Sequence, residues 1–438
     1  MSRPTEQATS SQARPINVLA FPGGTEVGLE VRKALGACKE VRLFSAGSRT
    51  SNHASFVYAE HFVLPTIHEP NWIRELNALI AWKSIDYIYP CYDDVLVAVA
   101  ENADQIAAKI VTSPLETCLI TRSKSATYRH FKEVVPVPVC YSSADEVTEY
   151  PVFVKPDKGQ GSQHASVACS PAELEHLMSV RPDRLILEHL PGKEFTVDCF
   201  SDREAGLLFC LGRQRIRTRA GISMDSEPVR DPRFSSYASA IAGRLPFHGA
   251  WFFQLKEARN GTLTLQEVAP RISGTSAVAR VLGVNLPMLS VLEQERVPVT
   301  IMANGVDVSI DRALVNRYRH NLKYRTAYID LDDTLLLNEQ VNVEVVRFLF
   351  QCINRGIRIV LLTRHRFDIA QTLGRFRLGG ILDEVIVVAD RESKAAYILD
   401  DESIFIDDSF SERKAVYERK GIPTFDASML ELLMDDRG

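Results

Sequence analysis

From Ile16 onward the chain alternates short apolar runs with amphipathic segments. "INVLAF" predicts a strand, "GGTEVGLEVRKALGA" a glycine turn and helix, and "EVRLFS" and "HFVLP" two more strands. "NWIRELNALIAWK" and "DVLVAVAENADQIAAK" carry helical spacing, while "IDYIYP" and "IVTS" read as strands. Regular alternation of strand and helix implies a parallel sheet with both faces covered. This first region spans residues 15–112. Its glycines, Gly23, Gly24 and Gly28, miss the G-x-G-x-x-G spacing, and no acidic residue ends the second strand, so they predict a tight turn and not a dinucleotide site.

After residue 113 the texture changes to β-rich. "YPVFVKPDKGQGSQHASVAC" predicts strand, glycine loop and strand, and "RLILEHLPGKEFTVDCFSD" and "GLLFCLGRQRIR" continue in β character. "GAWFFQLKEARNGTLTLQEVAPRISG" predicts a hairpin turning at Asn260-Gly261. The sheet over 113–310 is therefore expected to be mostly antiparallel. "RALVNRYRHNLKYR" is read as a helix and junction, with a linker over 311–324. From 325 to 438 alternation resumes, giving a second Rossmann-like α/β domain: "TAYID", the helix "VNVEVVRFLFQCINRG", "IRIVLLT", another helix, "EVIVVA", "SIFIDD" and a last helix. The fold class is thus α/β combined with α+β.

Composition narrows the function classes. Charged residues make up 24% and apolar ones 45% of 438, ordinary for a soluble globular protein. A formal charge of −5 with no basic block argues against non-specific nucleic-acid binding. Eight scattered cysteines without a Cys-x-x-Cys pair predict reduced, buried thiols. No run approaches a membrane span, and the polar opening, residues 1–14, lacks the apolar core of a signal peptide and is expected to be disordered. These features make a cytoplasmic protein the expectation, with neither membrane nor nucleic acid as a partner.

The chemistry concentrates in two places. In the middle, Lys155 sits on a strand beside a loop with Gly159, Gly161 and Ser162. Glycines let backbone N–H groups approach phosphate oxygens, and lysine adds positive charge. Lys124 lies upstream. Downstream come Glu188-His189-Leu190 at a strand end, then Glu194, Gln254 and Glu267 on the arms of one hairpin, and Arg271. Oxygen ligands on neighbouring strands suit Mg²⁺.

In this order the residues resemble the ATP-grasp superfamily over about residues 15–310, nearest its carboxylate–amine ligases and carbamoyl-phosphate-synthase-like members. The resemblance implies a Rossmann-like pre-ATP-grasp domain at 15–112 and an ATP-grasp domain of two α+β subdomains at 113–310. It implies ATP and Mg²⁺ (or Mn²⁺) as cofactors and small-molecule carboxylate and amine substrates. Lys124 and Lys155 would hold the phosphates, and the Gly159–Gly161–Ser162 loop would close over them. Glu188, His189 and Leu190 would read adenine, Glu194 the ribose, and Gln254 and Glu267 would bind metal. Arg271 would act at the reacting centre, with Arg215 or Arg217 as a clamp for the substrate carboxylate. "YPCYDDVLVAVAEN" (Asp93, Asp94) resembles a block of the preceding domain in that family. Ala269 departs from the family's usual asparagine and removes one side-chain ligand.

The second place is "YIDLDDT". Asp330 is expected at the carboxyl end of a strand, with Asp332 reaching the same site if the strand stops between them; Thr363, Lys394 and Asp407-Asp408 follow at other element ends. This order resembles the haloacid dehalogenase superfamily, especially its phosphatases, over residues 325–438. The resemblance implies that Asp330 is the nucleophile and Asp332 the general acid–base, and that Thr363 and Lys394 hold phosphate. Asp330, Asp332 (through its backbone), Asp407 and Asp408 would form the Mg²⁺ site, and a phosphorylated small molecule would be the substrate. Asp333 stands where many of these phosphatases have glycine. The spacing leaves no room for a large cap domain.

The combined expectation is a bifunctional ligase–phosphatase. Two alternatives stand beside it: a ligase whose tail is a non-catalytic phosphate-binding module, and a nucleotide-gated binding protein. The residues do not reveal the oligomeric state, and the ligase resemblance makes a homodimer plausible.

Overall fold

Six residues, Ile16–Phe21, form the central strand of a five-stranded parallel sheet in the computed structural model, which describes residues 14–49, 51–159, 161 and 163–437. The predicted disordered tail falls almost wholly outside the described residues. The central strand is flanked by Val41–Gly47 and His61–Val63 on one side, and by Tyr87–Pro90 and Lys109–Ile110 on the other. The turn after it is tight: a Cβ on Gly28 would lie 2.5 Å from the Gly23 carbonyl oxygen. Thr25 caps the helix Glu26–Leu35 by accepting from the Gly28 N–H at 3.0 Å. The helix predicted over "DVLVAVAENADQIAAK" stops earlier, at Glu101.

Two antiparallel sheets follow. The four-stranded one runs in the order Cys140–Tyr141, Arg184–Glu188, Val152–Pro156, Ser166–Ala168. The six-stranded one runs Leu263–Ala269, Gly249–Glu257, Glu194–Asp202, Gly206–Arg219, Ile222–Pro228, Ile310–Asp311. Its middle strand, Glu194–Asp202, has adjacent residues Cys199 and Phe200 both fully buried, because both faces are covered. On one face Trp251, Phe253 and Val197 pack with Phe234 and Ile241 of the helix Pro232–Ala242. On the other, Phe200 and Ala250 share a core with Val18 and Tyr87 of the parallel sheet and Val31 of the helix Glu26–Leu35. The expected boundary near residue 112 therefore separates two sheets that share a core, within one compact unit that runs to Leu314.

The second compact unit is Val315–Gly438. Its parallel sheet has the order Glu384–Val387, Arg358–Thr363, Thr326–Ile329, Ser403–Ile406, Thr424–Phe425. Ala327, Ile329, Leu361 and Ile406 pack on one face with Phe348 and Leu349 of the helix Val343–Asn354, and Tyr328, Val360 and Phe405 on the other with Val416. Between Asp330 and that helix lies only a small hairpin, Leu336–Leu337 with Gln340–Val341, turning through Asn338 and Glu339 in the left-handed region.

The helix expected over Arg312–Arg325 is absent; residues 312–324 contain neither helix nor strand. Leu314 (84% exposed), Val315 and Tyr318 cover no apolar surface, only Leu322 and Tyr324 pack on a core, and an isolated helix of this length is marginal in water. No helix among the described residues is long and apolar enough to cross a membrane. All eight cysteines are free, with Cys140 and Cys169 exposed instead of buried.

Candidate functional site

In the first unit, strand ends of the two antiparallel sheets and the glycine loop surround a cavity of about 730 Å³. Lys124, Lys155, Gly159, Gly161, Glu188, His189, Leu190, Glu194, Gln254, Glu267 and Arg271 all line it. Ser162 lies outside the described residues.

Lys155 projects from Val152–Pro156, buried, with its Nζ 5.6 Å from the Tyr128 ring centroid. Burial first, and then the charge of Lys124, push its ammonium down to about 7. Lys124 opens the helix Lys124–Phe131 and donates to the Gly159 carbonyl at 3.1 Å. Its pKa is also lowered by burial. Asp157 ties this helix to the loop: one oxygen accepts from the Ser125 N–H at 2.7 Å and the other from the Ser123 hydroxyl at 2.8 Å. Sequence reasoning missed Asp157; its only signal was its place between Lys155 and the glycines. Gly161 has φ +62, and a Cβ there would sit 3.3 Å from the Ala220 carbonyl oxygen, so a side chain would meet both strain and the neighbouring hairpin tip.

At the opposite wall the Glu188 carboxylate accepts from the Val139 N–H at 3.3 Å. Burial, with Lys256 and Arg259 near, lowers the His189 pKa, favouring the neutral imidazole; its buried Nδ1 has no partner. Glu194 is paired with Arg215, which also donates to Gln254 Oε1 at 3.3 Å. Arg217 pairs instead with Asp311 at 2.5 Å. Gln254 and Glu267 are cross-strand partners, and the Glu267 carboxylate makes no hydrogen bond or ion pair with a described residue. Ala269 lies opposite Phe252, an apolar pair.

Arg271 is held from the parallel sheet. Asp93, in the first turn of the helix Asp93–Glu101, accepts from its Nε at 2.5 Å and its Nη2 at 2.8 Å. Despite burial, that arginine keeps the Asp93 carboxyl below the usual range. Asp94 pairs with Arg122 at 2.6 Å. Behind Arg271, the fully buried Arg213 bonds Asp198 at 2.7 Å, donates to Ser273 Oγ at 2.8 Å, and donates to Thr275 Oγ1. A guanidinium only donates, so both hydroxyl oxygens act as acceptors there, leaving their O–H groups for the cavity they line.

In the second unit, Asp330 follows directly on the strand Thr326–Ile329. Oxygens of Asp330, Asp407 and Asp408 lie within 4.8 Å of one another. Buried Lys394 opens a short 3-10 turn and bridges the acids, its Nζ 2.8 Å from Asp330 Oδ1 and 2.6 Å from Asp407 Oδ2. Burial first, then the Asp330 charge, raise Asp407 to about 6; burial also raises Asp330, and Lys394 opposes both shifts. A divalent cation would relieve that crowding. Thr334 accepts from the Asp408 N–H at 2.9 Å, and Arg413 donates to the Asp407 and Asp408 carbonyls at 2.6 and 2.7 Å.

The side chain of Asp332 stands outside the acidic trio. It is half exposed and accepts from His365 Nδ1 at 2.9 Å. Thr363 is buried at the end of Arg358–Thr363, its Oγ1 accepting from the His365 N–H at 3.2 Å. The next residue, Arg364, is taken up by Glu412 at 3.0 Å and the Ala389 carbonyl at 2.7 Å. Asp333 has φ +58, so the turn keeps the left-handed shape that glycine would favour, which aspartate tolerates.

Residues 180–311 match a family model described as ATP-grasp in the biosynthetic pathway with Ter operon. Among solved structures, the biotin carboxylase domain dimer of Hydrogenobacter thermophilus 2-oxoglutarate carboxylase, in complex with MgADP, ADP and bicarbonate, is similar. It is 14% identical with TM-score 0.53, over 64% of this chain and 69% of that one. N5-carboxyaminoimidazole ribonucleotide synthetase in its ADP complex is 14% identical with TM-score 0.54, over 67% and 79%. The L-amino acid ligase of Bacillus licheniformis is 16% identical with TM-score 0.50, over 64% and 74%. At these identities the likeness is one of fold, a mixed α/β architecture over about two thirds of the chain. No curated protein matches the chain.

Proposed function

We propose that residues 15–310 form an ATP-dependent carboxylate–amine ligase that works through an acyl phosphate. The observation that carries this reading is the convergence of two lysines, a glycine loop, a hinge at Glu188–Leu190 and the Gln254–Glu267 pair on one cavity. Lys124 and Lys155 would grip the β- and γ-phosphates, and Glu188–Leu190 with Glu194 would meet adenosine. Gln254 and Glu267 fit Mg²⁺ or Mn²⁺, being hard oxygen donors in register with one carboxylate free. Bound there, the cation would offset the charge on the transferred phosphoryl group. Because position 269 is alanine, Gln254 and Glu267 are its only side-chain ligands in this reading.

The substrate carboxylate would attack the γ-phosphorus, releasing ADP, and an amine would then displace phosphate from the acyl phosphate. Arg271, oriented by Asp93, would turn its remaining N–H groups to the tetrahedral species. The test crosses carboxylic acids with amines and measures ADP. If no acid, alone or paired, raises ADP formation, the ligase reading is wrong.

For residues 325–438 we propose a Mg²⁺-dependent phosphatase of haloacid dehalogenase type, acting on a phosphorylated substrate or product of the ligase. Asp330 would take the phosphoryl group and Asp332, held by His365, would protonate the leaving oxygen. Thr363 and Lys394 would hold the phosphate, and Asp330, Asp407 and Asp408 would bind the metal, with the Asp332 backbone. Asp330→Asn should abolish hydrolysis of p-nitrophenyl phosphate and leave ligase ATP turnover unchanged. Undiminished ester hydrolysis in that variant would remove Asp330 as nucleophile.

A further inference from the structure

Four glutamates line the nucleotide cavity, and three have evident occupations. Glu188 accepts from the Val139 N–H, Glu194 pairs with Arg215, and Glu267 faces the two lysines, its charge opposing the lowering of their pKa values by burial. The fourth, Glu26, comes from the parallel sheet, in the first turn of the helix Glu26–Leu35. It is half-buried, yet its carboxylate makes no hydrogen bond or ion pair with any described residue. The tight Gly23–Gly28 turn fixes where the helix begins. A Cβ on Gly274 would lie 3.8 Å from both Glu26 Oε2 and Arg312 Nη1, so the carboxylate stands beside the Arg271–Thr275 segment.

We propose that Glu26 receives the amine substrate as its ammonium and takes the proton that frees it to attack. This rests on the ligase reading of the same cavity. A lone carboxylate without a second acid beside it is a poor seat for a divalent cation and a good one for an ammonium. Desolvation lifts the Glu26 carboxyl above its ordinary range, against the opposing charges of Arg312 and Arg271, which makes it a better proton acceptor than an exposed glutamate. Arg271 and the O–H groups of Ser273 and Thr275, which line the same cavity, are donors suited to the acyl oxygen. In the step, the ammonium gives one proton to Glu26 and the nitrogen lone pair forms the C–N bond. The C–O bond to phosphate then breaks with its electron pair, and the second nitrogen proton leaves with the departing phosphate. Glu26 returns its proton to solvent.

Hydroxylamine separates the two readings, because it is largely unprotonated at neutral pH and needs no carboxylate to deprotonate it. Wild-type protein with MgATP is given a panel of carboxylic acids, with hydroxylamine or with ammonium, methylamine and glycine as amine probes. For an acid that yields hydroxamate, Glu26→Gln should lower amide formation roughly 100-fold or more while hydroxamate formation stays within about 3-fold. Glu26→Asp should recover part of the amide rate with a raised KM for the amine, and it carries the test should the glutamine variant not fold. Equal loss of hydroxamate and amide in both variants, loss of neither, or hydroxamate without amide from any probe would overturn the role of Glu26. No hydroxamate from wild type with any acid would overturn the ligase reading itself, and this inference with it.

Discussion

Lys155 shows how much one buried charge can report. Its folded pKa of about 7 lies below the unfolded value of about 10.4, so the unfolded chain binds more protons between those limits. Its contribution to stability therefore rises with pH across that window. Phosphates entering the cavity would push the pKa back up, so MgATP binding at pH 8 should take up close to one proton. Calorimetry in buffers of different ionisation enthalpy should show this uptake at pH 8, little of it at pH 6, and none in Lys155→Met, whose affinity should fall 10-fold or more. At this scale the sequence was informative where residue type is dictated by chemistry: lysines, glycines and acids at strand ends. It was silent on the Arg271–Asp93 pair, whose members are 178 residues apart, and on Arg413, whose role is to hold backbone carbonyls. Asp332 was legible as an acid near Asp330, but not its turn toward His365, since a loop side chain's direction is set by tertiary neighbours.

Elements were legible when their periodicity agreed with a face to bury. The strands Glu194–Asp202 and Gly249–Glu257 and the hairpin at Asn260-Gly261 follow the pattern directly, with Gly261 at φ +81. The segment 312–324 misled because apolar spacing alone does not supply a partner surface. Packing between elements adds constraints that no local pattern carries. Gly212, on Gly206–Arg219, has no special φ, yet a Cβ there would lie 2.1 Å from Phe234 Cδ2 of the helix Pro232–Ala242. Gly212→Ala should destabilise the first unit by about 1–3 kcal/mol, seen as a lower urea midpoint at unchanged slope. A midpoint equal to wild type would mean that the helix shifts at no cost.

For the whole chain, the two compact units each own their apolar clusters: Tyr328, Phe348 and Phe405 pack with residues of Val315–Gly438. A fragment of residues 315–438 should therefore unfold cooperatively by itself and keep whatever phosphomonoester hydrolysis the full chain has. A fragment that is molten, without cooperative unfolding, would mean the tail depends on the first unit. The texture changes at 113 and 325 predict three folded regions, whereas the chain divides into two compact units; that the first two regions share a core was not readable, because Phe200 and Val18 are brought together only by the folded topology.

The lysine bridge in the tail has a bearing on metal removal. Because Lys394 already sits between Asp330 and Asp407, the three acids need no cation to coexist in the folded state. EDTA should silence phosphoester cleavage yet leave the melting temperature of the tail within a few degrees. In Lys394→Met the same treatment should drop it sharply, because the ammonium that serves as counter-ion to Asp330 and Asp407 is then missing.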